Sequence, residues 1–378
     1  MNTFKTPQFC VFLFITFCFS SLISEAVAQK NVLAGRVLDA ETGMPMQGVH
    51  VFFDKTTIGT ITNEGGRFRL AGFQDGDYMI SASFIGFETF TVPVSIPEDN
   101  TATFKISLNP KVFETDVVMV TEKTPKEWLK NLQKFENLFL GETLNADHTK
   151  IKNPEVLEFF DDGSSFKAEA TEPLVIENNA LGYEITYFLT EFKFNNSTIS
   201  TKATSKFREL QAKDPETKAR WIEERKRAYL GSFKHFLDAL DRGSTNEDGF
   251  RIFYQATRSL LQNQYELKPQ PVENPQNLIT KLPGELRTVE LKIDKQFPYL
   301  RVEYIHVRPE QRIAERYNMP RLSMNQISFI SFPNRKAVLD LQTTNSTNRY
   351  VPLFYGYWGW TSRVPELLPQ DFVISDNI

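Results

Sequence analysis

Seven short β-rich runs fill residues 32–108, and turn-forming residues separate them. In the second run, Val49, Val51 and Phe53 alternate with His50 and Phe52, which is the period-two pattern of a strand. No helical period interrupts the series, so two sheets must cover each other's apolar faces and a seven-stranded β-sandwich is predicted. The predicted strands cover residues 32–38, 49–53, 57–62, 67–70, 78–84, 88–92 and 102–108.

Short glycine-containing motifs recur in a fixed order through the same segment. They are Gly-x-Val-x-Asp at 35–39, Thr-Gly-x-Pro at 42–45, Gly-Val-x-Val at 48–51, Gly-Thr-x-Thr at 59–62, Gly-Gly-x-Phe-x-Leu at 65–70 and Phe-Ile-Gly-Phe at 84–87. This order resembles the carboxypeptidase regulatory-like domain, a transthyretin-like sandwich with a carbohydrate-binding-like fold. The resemblance implies a structural or docking role and does not imply catalysis. Many relatives have an Asp-rich turn where this chain has Asn63-Glu64-Gly65-Gly66, so no metal site carries over.

In bacteria, domains of this kind often precede other envelope modules, notably TonB-dependent outer-membrane receptors. The residues after 110 are too few for the large barrel of such a receptor. Stretches at 154–159, 174–178 and 227–232 also look similar to bacterial envelope proteins that carry a regulatory-like domain. Those relatives give no activity to carry over.

The N-terminus has the order of a signal peptide. Lys5 precedes an apolar run from Phe9 to Phe19, and small residues end at Ala26-Val27-Ala28. The apolar run is too short for a hydrocarbon layer about 30 Å thick. We therefore expect residues 1–28 to be removed and the mature chain to begin at Gln29. No long apolar segment follows, which predicts a mature protein without a transmembrane span.

Both cysteines of the chain, Cys10 and Cys18, lie in that signal. The mature chain would then have no disulfide, no cysteine metal site and no thiol nucleophile. An exported protein without disulfides suits a bacterial envelope, in the periplasm, at the outer membrane or in the medium. The formal net charge of −4 argues against a nucleic-acid partner, which needs basic patches.

A helix is predicted at 125–140, within a linker of residues 111–145. Thr124, Pro125 and Glu127 form a capping box with proline at the first helical position. Apolar residues then recur at helical spacing. They are Trp128, Leu132, Phe135 and Phe139.

Residues 146–378 are predicted to form a strand-rich α+β domain of unknown function, so the whole protein is mainly β. One helix is expected from its N-cap at Asp214 to Gly243, and residues 268–285 are expected to form a loop because they hold four prolines. A β-like run at 117–120 precedes this domain. The predicted strands cover 156–160, 166–170, 174–176, 183–194, 250–254, 286–293, 299–307, 327–332, 337–341 and 350–355.

No catalytic, metal or cofactor residue is assigned. Ser232, His235 and Asp238 lie three apart on the predicted helix, so their directions step by about 60° and do not converge as a triad requires. A serine within a helix also lacks free backbone N–H groups for an oxyanion. A carboxylate pair from distant strands, as in glycosidases, remains an open alternative.

The aromatic run at 355–360 is the candidate for ligand stacking. Tyr355, Tyr357, Trp358 and Trp360 alternate with two glycines, and aromatic faces stack on sugar rings. The alternative is that these rings fill a core edge. The leading hypothesis is a non-enzymatic exported envelope protein with a docking role and envelope-protein partners. The alternatives are a glycan-binding protein and a hydrolase with an unrecognised carboxylate site.

Overall fold

The computed structural model describes ten ranges of the chain. They are residues 31–97, 101–111, 124–195, 198–258, 268–281, 288–294, 296–316, 325–332, 336–340 and 352–374. The predicted cleavage site, the β-like run at 117–120 and part of the predicted strand at 350–355 lie outside the described residues. None of the helices in these ranges combines the length and the apolar character needed to cross a bilayer.

The N-terminal strands form the predicted β-sandwich. Its two sheets have the strand orders β4-β1-β7 and β3-β2-β5-β6, and β1 pairs parallel with β7. The strands are β1 (Asn31–Asp39), β2 (His50–Phe53), β3 (Gly59–Ile61), β4 (Arg67–Phe73), β5 (Gly76–Ser83), β6 (Phe90–Ile96) and β7 (Thr101–Leu108). Leu33, Val51, Phe53 and Ile80 are fully buried between the sheets because alternate side chains point inward.

A second hydrophobic core lies between a helix and a six-stranded sheet. Its elements are α1 (Pro125–Phe139), β8 (Thr149–Ile151), β9 (Leu157–Asp161), β10 (Ser165–Ala170), β11 (Leu174–Asn178), β12 (Tyr183–Asn195) and β13 (Thr198–Glu209). The strand order is β8-β11-β12-β10-β9, and β13 also pairs with β12. We name these strands the central sheet.

Helix α1 covers almost the range that the sequence predicted. Thr124 and Glu127 form the capping box at its start. Phe135 and Phe139 are buried against the central sheet, and Trp128 Nε1 donates to the Leu157 carbonyl at 3.1 Å. The helix is therefore a packed layer of the second core.

Strand β13 was missed by the sequence analysis. Polar residues such as Thr201, Thr204 and Ser205 recur in it, so it lacks the apolar alternation of a half-buried strand. Its register is set by the long antiparallel pairing with β12.

The single helix predicted from 214 to 243 is wrong. The structure has α2 (Pro215–Tyr229) and α3 (Phe233–Arg242), separated by Leu230–Ser232. Gly231 has a φ of +76°, which a right-handed helix cannot contain. Ser232 Oγ then accepts from the backbone N of His235 at 3.1 Å and caps α3. Ser232 is thus an N-cap and not a mid-helix serine.

A third hydrophobic core surrounds α3. Phe236 and Leu240 of α3 are buried against strands that form two sheets, with the orders β15-β14-β18-β19-β21 and β16-β17-β20. The elements are β14 (Phe250–Gln255), β15 (Gln270–Pro271), β16 (Ile279–Lys281), β17 (Thr288–Lys292), β18 (Tyr299–Tyr304), α4 (Gln311–Arg316), β19 (Gln326–Ser331), β20 (Lys336–Asp340), β21 (Leu353–Gly356) and α5 (Tyr357–Thr361). The loop predicted at 268–285 contains β15, β16 and a 3₁₀ turn, so that prediction is wrong for its described part.

The sandwich is joined directly to the central sheet through the residues after β2. Lys55 N donates to the Ser205 carbonyl at 2.6 Å, and Phe207 N donates to the Thr56 carbonyl at 2.8 Å. The carboxylate of buried Asp54 accepts from Ser205 N at 2.7 Å. These bonds hold the sandwich against β13.

The last described residues, 364–374, contact both the second core and the sandwich, and we name them the C-terminal segment. Val364 packs into the second core, and Asn178 Nδ2 donates to the Pro365 carbonyl at 2.9 Å. Further on, Gln370 N donates to the Lys55 carbonyl at 2.8 Å. The segment therefore ties the sandwich to the central sheet from the other end of the chain.

Candidate functional site

A cavity of about 530 Å³ lies between the second and the third hydrophobic core, with Lys55 of the sandwich in its lining. Its lining comes from the α2–α3 connection, the residues between β18 and α4, helix α5, the C-terminal segment and Lys55 of the sandwich. Much of the lining is apolar and includes Leu230, Phe233, Phe354, Tyr357, Trp358 and Leu368. A largely apolar cavity with a few polar groups is the usual form of a small-molecule site.

The break between α2 and α3 shapes one wall of this cavity. Trp358 Nε1 donates to the Gly231 carbonyl at 2.7 Å, a group that a continuous helix would bond internally. A Cβ on Gly231 would lie 2.4 Å from Gln326 Oε1 and 2.6 Å from Tyr304 Cδ1. Only glycine gives both the positive φ and this close approach.

The polar end of the cavity is built around Arg227 and Glu366. Asn145 joins them, since its Nδ2 donates to Glu366 Oε2 at 2.9 Å and its Oδ1 accepts from Arg227 Nη2 at 2.9 Å. Arg227 Nε also donates to Glu224 Oε2 at 2.7 Å. Helix α2 thereby fixes the C-terminal segment through the buried amide of Asn145.

Burial controls the ionisation of the carboxyl groups at this end. It raises the pKa of Glu366 to about 7, against the opposing effects of the nearby Thr143 hydroxyl and the Arg227 charge. Burial also raises the pKa of Glu310, although Leu144 N donates to its Oε1 at 2.7 Å. Both shifts follow from the cost of holding a charge away from water.

Three buried polar atoms of the lining have no hydrogen-bond partner among the described residues. They are Gln326 Oε1, Gln370 Nε2 and Glu366 Oε1. Gln326 is 5% exposed and Gln370 is 9% exposed. Buried polar atoms are almost always paired, so the two amide atoms are available to a bound molecule or to water. Glu366 Oε1 lies near the Thr143 hydroxyl and, as a carboxylate oxygen, can accept a further donor.

The four aromatic residues proposed for stacking do not share one open face. Trp358 is 2% exposed, and it lines the cavity with Tyr357. Tyr355 lies in β21, and the Arg258 guanidinium lies 4.1 Å from its ring centroid. Trp360 is half-buried and lies outside the cavity lining. Residues 357–361 form helix α5, which turns successive side chains in different directions.

Ser232, His235 and Asp238 each have a structural partner. His235 is buried, and its Nδ1 accepts from Gly231 N at 3.1 Å. The Asp238 carboxylate accepts from Tyr229 Oη at 2.8 Å and from Lys234 Nζ at 2.7 Å. The ring of His235 therefore bonds to the backbone between α2 and α3, and Ser232 Oγ caps α3.

Sequence reasoning missed most of the cavity. Glu366, Gln370 and Arg227 come from distant parts of the chain and match no motif of fixed spacing. The pair Gly231-Ser232 was a usable signal, because glycine after one helix and serine before the next mark a C-terminus and an N-cap. Within the described ranges, no cluster of three or more His, Cys, Asp or Glu side chains is arranged to hold a metal ion.

Comparison with known proteins identifies the N-terminal part. Residues 33–120 match the family model described as the CarboxypepD_reg-like domain, which confirms the resemblance that the motifs indicated. No curated protein matches the chain.

Solved structures give only weak likenesses. The pilus 2b backbone protein of group B streptococcus has 12% identity and a TM-score of 0.19, over 22% of this chain and 42% of that one. A cohesin–X-dockerin complex of Acetivibrio cellulolyticus has 17% identity and a TM-score of 0.16, over 20% and 51%. The chain thus covers about half or less of these two structures. A DUF3823 family protein of Bacteroides uniformis has 10% identity and a TM-score of 0.17, over 82% and 98%.

Proposed function

We propose that this is an exported protein of the bacterial cell envelope that binds a small ligand and performs no catalysis. The observation that carries the proposal is the cavity of about 530 Å³ with unpartnered polar atoms in a largely apolar lining. The regulatory-like sandwich acts as a fixed support, because its bonds to β13 and to the C-terminal segment hold one wall of the cavity in place.

The fixed position of the sandwich favours a supporting role over that of a docking module on a loose tether. Its outward-facing Phe52 is fully buried against the central sheet. Lys55, at the edge of the same contact, reaches the cavity lining. Ligand binding and the seating of the sandwich are therefore expected to stabilise each other.

The test uses one cavity-filling variant and one matched control. Ala228 of α2 lines the cavity, whereas Ala219 is exposed on the same helix. Mature wild type, Ala228→Phe and Ala219→Phe are incubated with a small-molecule extract of bacterial envelopes and examined by native mass spectrometry. We expect wild type and Ala219→Phe to retain a bound mass that Ala228→Phe loses. Equal retention by Ala228→Phe, or no retention by wild type, would overturn the proposal.

Export is supported by the order of charge, apolar run and small residues before Gln29. Expression in a bacterium followed by fractionation is expected to place the chain outside the cytoplasm, with Gln29 as the N-terminal residue. A full-length chain with intact Met1 in the cytoplasmic fraction would contradict export.

A hydrolase is the second candidate, and one observation favours it. Glu310 and Glu366 line the same cavity, and the pKa of Glu366 near 7 suits a general acid. Burial raises the pKa of both groups, however, whereas a catalytic pair needs one carboxylate that stays ionised. Turnover of nitrophenyl glycosides that disappears in both Glu310→Gln and Glu366→Gln would favour the hydrolase.

Glycan stacking at residues 355–360 stays a prediction. The absence of binding to any glycan on an array would contradict it.

A further inference from the structure

We propose that the cavity selects ligands with an apolar body and a protonated amine, with Glu366 as the group that recognises the amine. The inference rests on the proposed binding function and names the ligand class for the same site. It depends on the unpartnered Oε1 atom of Glu366 and on the charges that surround that carboxyl group.

The polar end of the cavity has more carboxylate than cation. Burial disfavours the charge of Arg227, yet Glu366, Glu224 and Glu310 together raise the pKa of this guanidinium. Arg227 already donates to Glu224 and to Asn145. Arg312 also faces Glu310, but Arg227 is the only cation among the groups that lower the pKa of Glu366, so a second positive group would be favoured beside Glu366.

The lining contains four other cations. Lys234 pairs with Asp238 at 2.7 Å on α3, and Arg308 is exposed at the cavity edge. Lys55 and Arg363 have interactions of their own. None of these four is among the groups that lower the pKa of Glu366.

The unpartnered amide oxygen of Gln326 adds a second acceptor for an ammonium group. An ammonium group has three donors and no acceptor, and the cavity offers Glu366 Oε1 and Gln326 Oε1 as acceptors. The apolar body of the ligand would contact Leu230, Phe233 and Trp358. A carboxylate ligand would instead bring a further negative charge to this end of the cavity.

The protonation of Glu366 is expected to make the affinity for an amine depend on pH. The groups that face it are Arg227 on α2, Glu310 before α4 and Tyr357 on α5. With a pKa near 7, Glu366 becomes ionised as the pH rises from 6 to 8, while an alkylamine remains protonated. Amine affinity is therefore expected to rise over this interval.

The experiment measures binding of hexylamine, hexanol and hexanoate to the mature protein by isothermal titration calorimetry at pH 6 and pH 8. Glu366→Gln removes the charge and keeps an acceptor, and Glu223→Gln is the control because Glu223 is exposed on α2 outside the lining. At pH 8 we expect hexylamine to bind about tenfold more tightly than hexanol, as a charge-assisted bond provides. Glu366→Gln should abolish that preference and Glu223→Gln should keep it.

Two outcomes would overturn the amine class. Hexanoate that binds as tightly as hexylamine would show that the cations of the lining dominate. Equal binding of hexylamine and hexanol in wild type, or an amine preference that survives Glu366→Gln, would show that Glu366 does not select the ligand. If the amine class fails in either way but Ala228→Phe still abolishes the binding of hexanol, the cavity remains a binding site. The two proposals can therefore fail separately.

Discussion

Phe52 of the sandwich and Phe188 of the central sheet stack across the junction between the two, with ring centroids 4.9 Å apart and an interplanar angle of 13°. Phe52 is fully buried although it points away from the sandwich core, and Phe188 is 6% exposed. His50, two residues earlier on the same face, contacts Phe188 edge-on at 5.7 Å. The outer face of β2 is thus an internal surface of the protein.

Phe188→Ala is expected to lower the free energy of unfolding by about 3 kcal/mol, because it removes a buried ring and its stacking contact with Phe52. Urea denaturation followed by circular dichroism measures the change. Thr190→Ala, at an exposed position of β12, should change the stability by less than about 0.5 kcal/mol. A double-mutant cycle with Phe52→Ala should give a coupling of about 1 kcal/mol. Additive effects would mean that the rings do not interact.

Asn178→Ala is expected to cost about 2 kcal/mol of stability. Asn178 is fully buried; its Nδ2 donates to Pro365 and its Oδ1 accepts from the backbone N atoms of Ala180 and Leu181. The substitution leaves those backbone groups unpaired and loosens the C-terminal segment. Asn179→Ala is the control, since Asn179 is exposed. Equal chemical denaturation curves for both variants would show that Asn178 does not fix the segment.

Gly231→Ala is expected to destabilise the protein by more than about 2 kcal/mol, because a positive φ alone costs an L-residue about 1–2 kcal/mol. The added Cβ would also clash with Gln326 and Tyr304. Gly163 has a φ of +83°, and a Cβ added there would have no atom within 4 Å, so Gly163→Ala should show the backbone cost alone. Thermal unfolding distinguishes them, and equal melting temperatures would contradict the close packing at Gly231.

His235 is expected to make stability fall as the pH falls from about 6.5 to about 4. Burial lowers the pKa of His235 to about 4, whereas its pKa in the unfolded chain is about 6.5. Between these values the unfolded state binds a proton that the folded state does not, so acid favours unfolding, by on the order of 3 kcal/mol in total. Well above pH 6.5 both states are neutral and the effect is absent.

The measurement is the difference in unfolding free energy between wild type and His235→Asn at pH 7 and pH 4.5. Asn can still accept from Gly231 N, so the helix break should persist. His50, whose pKa burial also lowers to about 4, and Glu366 contribute equally to both proteins and cancel. His148→Gln, at an exposed position, is the control. An unchanged pH dependence in His235→Asn would refute the assignment.

The parts of the fold that the sequence predicted depend on local patterns. The alternation around Val49 and Phe53 requires a two-faced strand, and Thr124 with Glu127 fixes the start of α1 whatever packs against it. Strand β13 was missed because its polar side chains carry no burial signal. Its position depends on pairing with β12, a partner that the pattern of β13 itself does not specify.

The candidate site could not be predicted in the same way. Tyr357 and Trp358, two of the four aromatic residues proposed for stacking, line a cavity beside Arg227 and Glu366, whereas Tyr355 and Trp360 lie outside its lining. Their separation depends on α5, a five-residue helix whose glycine-containing sequence gives little helical signal.

The sequence by itself determined the sandwich, the first helix and the mainly β character of the chain, because side-chain periodicity and capping act over a few neighbouring residues. Only the tertiary structure decided that the outer face of β2 is buried, that Gly231 divides the second helix, and that Glu366 meets Arg227 at the end of a cavity. These features depend on contacts between residues far apart in the chain, such as Thr57 N and Asp371 Oδ1, which lie 3.0 Å apart across 314 positions. No local pattern specifies such a distant partner.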